Sequence, residues 1–333
     1  MGECVLKAIA TQQKTRGVQL VWTEAPDPVC GAEDVLLAVK ATAVNRADLL
    51  QARGLYPPPP GDLDILGLEA AGEIIAVGEK VSAWGPGDRV CALTPGGGYA
   101  ALAAIPQEWL MPLPENWSFA EGAAVPEVWL TADTNLFLEG GLTSAETVLI
   151  HAGASGVGTA AIQLACAMGA RTAVTAGSAA KLDICRALGA TITVDYRSEN
   201  FHEAILNQTN GEGVDLVLDC IGGPYLEDHI RLLKPFGRLI NIGLLGGRSG
   251  ALDMAAVLMK SLTLKGTRMR ARSRKAKGRA TQQFRDRFWP LLVAGKLRPI
   301  IDRIYPITEA DAAHAHVKAN RNIGKVILEV APD

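Results

Sequence analysis

The alternation of apolar strands with helices in the middle of the chain is the feature that most constrains its fold. Between about residues 126 and 268, the segments TVLIHAG, RTAVTAG and VDLVLDCIG have the character of strands, and SGVGTAAIQLACAMG and SAAKLDICRALG that of the helices between them. Continuous apolar strands joined through helices are typical of a parallel sheet covered on both faces. The pattern predicts an α/β fold with a Rossmann-type, doubly wound parallel sheet over 126–268.

The rest of the chain has a different character. Residues 1–125 contain short strands such as VQLVWTE, DVLLAVKATAV and DRVCAL, separated by Gly and Pro, which predict a mostly β domain. The tail, 269–333, contains two predicted helices, Thr281 to Ala294 and Glu309 to Asn320, and a last strand GKVILEV. Since the tail has no β-α repeat of its own, we expect it to pack on the first domain.

Composition excludes several classes of function. A net charge of -2 and a pI near 6.2 do not favour nucleic acid or an anionic membrane as the main partner. The six cysteines are scattered and form no CxxC pair, which argues against a disulfide framework or a zinc ribbon. The N-terminal MGECVLKAIATQQK has no apolar signal-peptide core, and no apolar run reaches transmembrane length. A cytoplasmic protein is expected.

The segment HAGASGVG, between a strand and a helix, has the position of a dinucleotide fingerprint. Gly153 is expected to make the tight turn, and Gly158 to let the helix pack close to the strand. The backbone N–H groups of Ser155, Gly156 and Val157 would then face a pyrophosphate at a helix N-terminus. Ser155 replaces the usual middle glycine, so the fingerprint is imperfect.

The residues after the second strand favour NADPH over NADH. NAD enzymes place an Asp or Glu there for the ribose 2′-OH, whereas this strand ends at Gly177. Ser178 can donate a hydrogen bond to a 2′-phosphate, Lys181 adds a positive charge, and Tyr196 with Arg197 could line the same pocket. In the alternative interpretation, Ser178 only caps a helix and Lys181 lies on a solvated face.

Six segments carry a resemblance to a known family: HAGASGVGTAAIQLA, TAGSAAKLDICRALGA, VDLVLDCIGG, NRADLLQARGLYPPPPG, ILGLEAAGEI and NRNIGKVILEV. Together they resemble the zinc-independent quinone oxidoreductases, the zeta-crystallin-like branch of the medium-chain dehydrogenase/reductase superfamily, over essentially the whole chain. The resemblance implies a GroES-like catalytic domain, 1–125 with 269–333, and an inserted NADPH-binding Rossmann domain, 126–268. It also implies a quinone substrate and a homodimer or homotetramer.

The resemblance implies roles for individual residues. Asn45 and Tyr56 would face the cleft as the catalytic pair: Asn45 would orient the nicotinamide or a quinone oxygen, and Tyr56 would bond to or stack on the quinone ring. The alternative for Tyr56 is packing beneath the proline loop. The resemblance further implies that the adenosine or nicotinamide is flanked by Cys220, Ile221, Gly243, Leu244, Leu245 and Asn322.

Zinc alcohol dehydrogenases share this fold, so their metal ligands must be considered. Asn45 stands where the first cysteine ligand would be, and Leu68 where the histidine would be. The segment Thr94 to Leu102 runs across the place of the four-cysteine lobe. No metal site is expected.

Alternatives remain open. An enoyl or alkenal reductase would use the same cofactor and fold. The basic stretch Arg268 to Arg279 is interpreted as a solvated crossover, with contact to the cofactor phosphates and nucleic-acid binding as the other two interpretations. Asp133 stands where a bulkier residue is expected, which affects the shape of the substrate pocket. The segments LDCIGG and RLINIGLLGG predict an apolar sheet edge that a symmetry mate covers.

Overall fold

The computed structural model describes residues 5–15, 17–61 and 63–330. Residues 1–4, which include Cys4 and the start of the N-terminal segment, lie outside the described residues, as do 16, 62 and 331–333. The chain divides into two compact units. The β unit contains Met1–Leu130 and Met269–Asp333, and the Rossmann unit contains Thr131–Arg268.

The strands, in chain order, are β1 (Val5–Lys14), β2 (Gly17–Pro26), β3 (Asp34–Val44), β4 (Glu69–Val77), β5 (Arg89–Leu93), β6 (Leu102–Pro106), β7 (Leu110–Pro112), β8 (Thr147–Ile150), β9 (Arg171–Ala176), β10 (Ile192–Asp195), β11 (Val214–Asp219), β12 (Leu233–Asn241), β13 (Thr263–Gly266), β14 (Ile301–Pro306) and β15 (Lys325–Glu329). The α-helices are α1 (Arg46–Ala52), α2 (Phe119–Ala123), α3 (Pro126–Asp133), α4 (Gly156–Ala167), α5 (Ala179–Ala187), α6 (Phe201–Gln208), α7 (Leu226–Leu232), α8 (Met254–Lys260), α9 (Arg274–Arg287), α10 (Trp289–Val293) and α11 (Ala310–Lys318). A π-helix, Thr134–Glu139, follows α3 directly.

The Rossmann unit is built on one parallel sheet with the strand order β10-β9-β8-β11-β12-β13. Every residue of β8 is buried, because helices cover both faces of a parallel sheet. Phe201 of α6 packs with Leu149, Val217 and Leu239 in the core on one side. The predicted doubly wound α/β fold is confirmed.

One feature of this sheet differs from the prediction. The apolar segment at the end of β12 is not the edge, because β13 pairs with it in parallel, from Arg238↔Thr263 to Asn241↔Gly266. The sequence TLKG of β13 carries too little apolar character to be recognised as a strand. The edge on this side is therefore β13, whose residues are exposed.

The β unit contains a sheet in the order β14-β15-β3-β4-β5-β7, with β6 also paired to β3. β15 runs antiparallel to β3, with Val326 opposite Val44. The tail thus extends the sheet that the N-terminal residues begin. β1 and β2 form an antiparallel ribbon. The mostly β, GroES-like character predicted for this part is confirmed.

The first tail helix differs from the prediction in its start. Its first residue is Arg274 rather than Thr281, because Ser273 caps it by accepting a hydrogen bond from the Ala276 N–H at 3.2 Å. The helix breaks at Phe288, because Pro290 in the first turn of α10 cannot continue α9, so the predicted single helix is two. Across the described ranges, the helices are too short or too polar to cross a bilayer.

Candidate functional site

The turn from β8 to α4 has the local geometry of an anion site. Ser155 is the N-cap of α4, and its Oγ accepts a hydrogen bond from the Gly158 N–H at 3.0 Å. The N–H groups of Gly156 and Val157 lie in the first helical turn, where no earlier helical carbonyl can accept them. The end of this helix can therefore hold a phosphate through its amides and its dipole.

Gly153 lies within the turn, and the left-handed backbone there belongs to Ala152, at φ 52°. Gly153 is required for packing, since a Cβ there would lie 3.0 Å from both Cys185 Sγ and Val174 Cβ. The Ser155 N–H is also not free for a phosphate, because it donates to the Ala152 carbonyl at 2.8 Å.

The ends of β9 and β10 form a second polar group, here called the Gly177 pocket and made of Gly177, Ser178, Lys181, Tyr196 and Arg197. A Cβ on Gly177 would lie 2.7 Å from Tyr196 Oη and 3.1 Å from Arg197 Nε. The exposed ends of the Tyr196 and Arg197 side chains therefore lie over Gly177, at the position where NAD enzymes carry a carboxylate. Ser178 caps α5, accepting from the Lys181 N–H at 3.4 Å, so its capping role is real.

The ends of β11 and β12 bring a third group together. The Leu245 N–H donates to the Cys220 carbonyl at 3.0 Å, and a Cβ on Gly243 would lie 3.3 Å from the same oxygen. Leu244 and Leu245 are half exposed. Because parallel strands end at the same edge of a sheet, all three groups lie along the carboxyl edge of the Rossmann sheet.

A buried histidine pair lies beside the Gly-rich turn. His151 Nε2 and His229 Nε2 are 2.8 Å apart, and His151 Nδ1 lies 2.8 Å from Thr175 Oγ1. Burial lowers the pKa of both imidazoles, so at neutral pH both are uncharged and one donates to the other. With Asp219 they have the spacing of a metal-ligand group, but the Asp219 carboxylate already accepts hydrogen bonds from the Ile221 and Gly222 N–H groups and Asn241 Nδ2. Sequence spacing gave no sign of this group.

Asn45 belongs to a buried polar group, here called the Glu69 cluster and made of Asn45, Asp48, Glu69 and Lys325. Asn45 Nδ2 donates to Glu69 Oε1 at 2.8 Å, and Lys325 Nζ donates to both Asn45 Oδ1 and Glu69 Oε1 at 2.7 Å. Burial raises the pKa of Asp48 to about 6. Both ends of the Asn45 amide are bonded, so orienting a ligand would require Asn45 to exchange a partner.

Tyr56 lies elsewhere in the β unit, at the basic stretch. The Arg270 guanidinium carbon is 5.6 Å from the centre of the Tyr56 ring, a cation–π distance. Arg270 Nη1 also donates to Gln51 Oε1 at 2.7 Å. A narrow cleft, here called the Arg270 cleft, is lined by Leu68, Leu93, Thr94, Glu127, Met269, Arg270 and Lys277.

The interpretation of Arg268 to Arg279 as a solvated crossover is wrong for its central residues. Arg270 is only 6% exposed and Lys277 only 4%. Lys277 Nζ lies 4.6 Å from the centre of the Trp109 ring, and Arg274 is paired with Glu108 at 2.6 Å and Asp34 at 2.8 Å. These cations are bound by side chains from much earlier in the chain. The local sequence gives no information about such contacts.

The other predicted positions are more scattered. Asn322 lies in the β unit, where its Nδ2 donates to the Gly324 carbonyl at 2.8 Å and fixes the turn before β15. Asp133 is buried at the end of α3. Leu68, at the position of a zinc ligand, is buried in the wall of the Arg270 cleft.

Two family models match the chain: the alcohol dehydrogenase GroES-like domain over residues 31–115, and the zinc-binding dehydrogenase over residues 156–284. The synaptic vesicle membrane protein VAT-1 homolog of Rattus norvegicus is 30% identical over 330 residues, covering 95% of this chain and 81% of that protein. Polyketide synthase GfsB of Streptomyces halstedii is 33% identical over 93% of this chain, which spans 5% of that protein's length.

Solved structures give the same picture. The Escherichia coli quinone oxidoreductase complexed with NADPH is 27% identical, with a TM-score of 0.85, covering 97% of this chain and 99% of that one. The CurK enoyl reductase is 30% identical, with a TM-score of 0.83, also covering 97% and 99%. Relatives that differ in the group they reduce are thus similar to this chain to much the same degree.

Proposed function

The chain belongs to the medium-chain dehydrogenase/reductase superfamily, and from this premise we propose that it is a zeta-crystallin-like member that reduces quinones with NADPH and without a metal. The observation that carries the choice of cofactor is the Gly177 pocket. At the end of β9, where an NAD enzyme carries an acidic side chain, it has Gly177 and so no carboxylate that would repel a 2′-phosphate, and Arg197 adds a cation close to that position. NADPH, when bound, supplies the hydride.

We assign the binding of NADPH to the carboxyl edge of the Rossmann sheet. The first turn of α4, at Gly156 and Val157, would hold the pyrophosphate. The Gly177 pocket would hold the 2′-phosphate, with Arg197 and Lys181 as cations and Tyr196 Oη as a hydrogen-bond donor. The loops after β11 and β12, Cys220 to Ile221 and Gly243 to Leu245, would flank the nucleotide.

The proposed independence from zinc rests on the residues at the ligand positions. Asn45 is an amide already bonded within the Glu69 cluster, and Leu68 is an alkyl side chain. Neither offers the thiolate or imidazole that a catalytic zinc needs. A quinone is an electrophile before reduction, so its reduction depends mainly on positioning in a dry site. Metal analysis of the purified protein should find no stoichiometric zinc, and chelators should leave the activity unchanged.

For the substrate side we propose Tyr56 and Asn45. The Tyr56 ring already contacts Arg270 on one face, and its hydroxyl or its other face would meet the quinone. The test is steady-state kinetics of Tyr56→Ala with several quinones, with Tyr56→Phe as the control that keeps the ring. Loss of quinone turnover without a change in nucleotide preference is expected for Tyr56→Ala. Wild-type behaviour in both variants would leave Tyr56 a packing residue.

A second candidate is an enoyl or alkenal reductase, favoured by the similarity to the CurK enoyl reductase. A panel of quinones and 2-alkenals, each with NADPH and NADH, separates the two. Turnover of quinones with NADPH at a kcat/KM at least about tenfold above that for 2-alkenals supports the first proposal. The reverse order supports the second. Equal use of NADH would overturn the assignment of the Gly177 pocket.

We also propose that the protein forms at least a homodimer through the Rossmann unit. The edge strand β13 is exposed, and the neighbouring helix α8 carries Leu258 and Met259 with 77% and 82% of their surface exposed. An unpaired edge beside an apolar helix favours cover by a second copy.

A further inference from the structure

The buried histidine pair of the Rossmann unit is part of the Gly-rich turn, because His151 is the first residue of that turn. Both His151 and its partner on α7, His229, are buried. The rings of Phe201 and Tyr225 pack on the His151 ring, with their centres 5.0 and 5.1 Å from its centre. A hydrogen bond shielded from water in this way is stronger than an exposed one. The pair therefore links α7 firmly to the turn.

Both ring nitrogens of His151 are bonded to neighbouring elements. Nδ1 lies 2.8 Å from Thr175 Oγ1, near the end of β9, and Nε2 lies 2.8 Å from His229 Nε2. The backbone N–H of His151 donates to the Leu218 carbonyl of β11 at 3.2 Å. The start of the turn is thus tied to β9, β11 and α7, which are far apart in sequence.

The residue after His151 needs such support. Ala152 has a left-handed backbone, which is uncommon for a residue with a Cβ and persists only where its surroundings fix it. On its other side, the Gly153 N–H donates to the Thr175 carbonyl at 2.9 Å. The Ala152 carbonyl accepts from the Ser155 N–H at 2.8 Å. The position of His151 therefore affects Ser155, the residue that caps α4.

The partners of His229 favour one tautomer of the pair. His229 Nδ1 has no hydrogen-bond partner among the residues that the structure describes. Burial lowers the pKa of His229 to about 4, against the opposing charges of Asp219 and Asp228, so at pH 7 the ring carries a single N–H. An N–H at Nδ1 would be buried without an acceptor, whereas an N–H at Nε2 has His151 as its acceptor. His229 is therefore the donor, and His151 in turn donates through Nδ1 to Thr175 Oγ1.

We propose that His229 is a positioning residue for the dinucleotide: by donating to His151, it holds the turn in the shape that presents the Gly156 and Val157 N–H groups to a pyrophosphate. The inference rests on the proposed placement of the pyrophosphate at the first turn of α4. It adds to that site a residue of α7, outside the fingerprint sequence, that acts through His151. It does not depend on which group the enzyme reduces.

The test is a calorimetric titration of the full chain with ADP-ribose and with 2′-AMP at pH 7. ADP-ribose carries the pyrophosphate and lacks a 2′-phosphate, whereas 2′-AMP carries the 2′-phosphate and lacks a pyrophosphate. His229→Leu, which keeps the site filled but loses the donor, should weaken ADP-ribose binding at least about tenfold and 2′-AMP binding by less than about twofold. His229→Gln, whose amide can place an N–H near the position of Nε2, should recover most of the loss.

Thr175→Val tests the same link from the other side of His151. The substitution keeps the shape of the side chain and removes the oxygen that accepts from Nδ1, so it should also weaken ADP-ribose more than 2′-AMP. If His229→Leu does not fold, this variant still decides the question. Thr172→Val, at a buried threonine nearer the start of the same strand, is the matched control and should bind both ligands as the wild type does.

Equal losses of ADP-ribose and 2′-AMP affinity in His229→Leu would show that His229 only stabilises the fold, and would overturn the proposal. Wild-type affinity for ADP-ribose in both His229→Leu and Thr175→Val would overturn it as well, and a Gln variant as weak as the Leu variant would contradict the donor role. The proposed cofactor fails by a different result: tighter binding of NADH than of NADPH would reject the Gly177 pocket and leave this inference standing. A wild-type protein that binds no ADP-ribose would overturn both.

Discussion

The Gly-rich turn of the Rossmann unit and the Glu69 cluster of the β unit differ in how far apart in sequence their contacting residues are. The Gly-rich turn of the Rossmann unit relies on contacts between near neighbours in sequence, such as Ser155 Oγ with the N–H of Gly158 three residues later. The Glu69 cluster of the β unit joins residues that are far apart: Asn45 to Glu69 over 24 residues, and Lys325 to Asn45 over 280. The Gly-rich turn therefore depends on the local backbone conformation, whereas the Glu69 cluster depends on polar and charged side chains that only the tertiary fold brings together.

The comparison predicts its largest effect at Lys325. Lys325→Met leaves Glu69 buried without its cation, and Glu69 is completely buried. Removing one partner of such a pair costs about 3–5 kcal/mol. Urea denaturation should therefore show a loss of this size in the free energy of unfolding, with the β unit unfolding first.

The matched control is Lys80→Met, which removes an exposed pair with Glu33 at 3.9 Å. An exposed pair contributes about 0–1 kcal/mol, so this variant should stay close to wild type. The double variant Lys325→Met with Glu69→Gln should recover part of the loss, because the stranded charge is gone. Equal stability of the Lys325→Met and Lys80→Met variants would show that the buried Glu69 cluster contributes no more to stability than an exposed ion pair does.

The same contrast explains what the sequence could predict. The strand and helix alternation, the fingerprint turn and the cap at Ser178 are encoded over a few residues, and the structure contains them. The Glu69 cluster and the burial of Arg270 and Lys277 are not encoded locally. A run of arginines and lysines is usually solvated, and only contacts from Gln51 and Trp109 reveal the exception.

Strand β13 and the turn geometry were missed for related reasons. TLKG has almost no apolar pattern, so its place depends on pairing with β12. Gly153 was expected to make the tight turn, but the left-handed residue of that turn is Ala152, and a side chain on Gly153 would crowd Cys185 and Val174. A glycine can occur in a turn because the backbone there is left-handed or because a side chain would clash with its neighbours, and the sequence alone does not distinguish these two reasons.

The next largest effect is expected on dimer formation, at the β13 edge of the Rossmann unit and its neighbouring helix α8. Covering Leu258 in a dimer would contribute about 1.5–3 kcal/mol, and a charge there would oppose association further. Leu258→Asp should raise the dimer dissociation constant at least about tenfold, measured by light scattering across a concentration series. Leu55→Asp, at a leucine of the β unit that is 61% exposed, is the control and should leave the assembly unchanged. A monomeric wild type at micromolar concentration would contradict the prediction.

The next prediction concerns the Gly177 pocket, whose residues, like those of the Gly-rich turn, lie close together in sequence. Lys181→Ala should raise the KM for NADPH about tenfold and leave kcat nearly unchanged, because a remote phosphate contact binds ground and transition states alike. The KM for NADH should hardly change, so the preference between the two nucleotides narrows. Arg186→Ala, on the same helix but paired with Asp183, is the control. A similar rise in the KM for both nucleotides would indicate that the substitution disturbs the fold of α5 rather than a contact with the 2′-phosphate.

The last prediction returns to the sites that the tertiary fold assembles and concerns the effect of pH on Glu127. Its pKa is raised from 4.5 to about 8 in the fold, so between these values the folded protein holds a proton that the unfolded chain has released. Stability must then fall as pH rises through this window, and level off above it. Glu127→Gln removes the titration, so its melting temperature should gain on that of the wild type from about pH 5 to pH 8. Glu115→Gln, at an exposed position, should run parallel to the wild type throughout. If the Glu127→Gln and wild-type curves are parallel as well, then Glu127 is ionised in the fold, and the positive charges of Lys277 and Lys325 outweigh the effect of burial on its pKa.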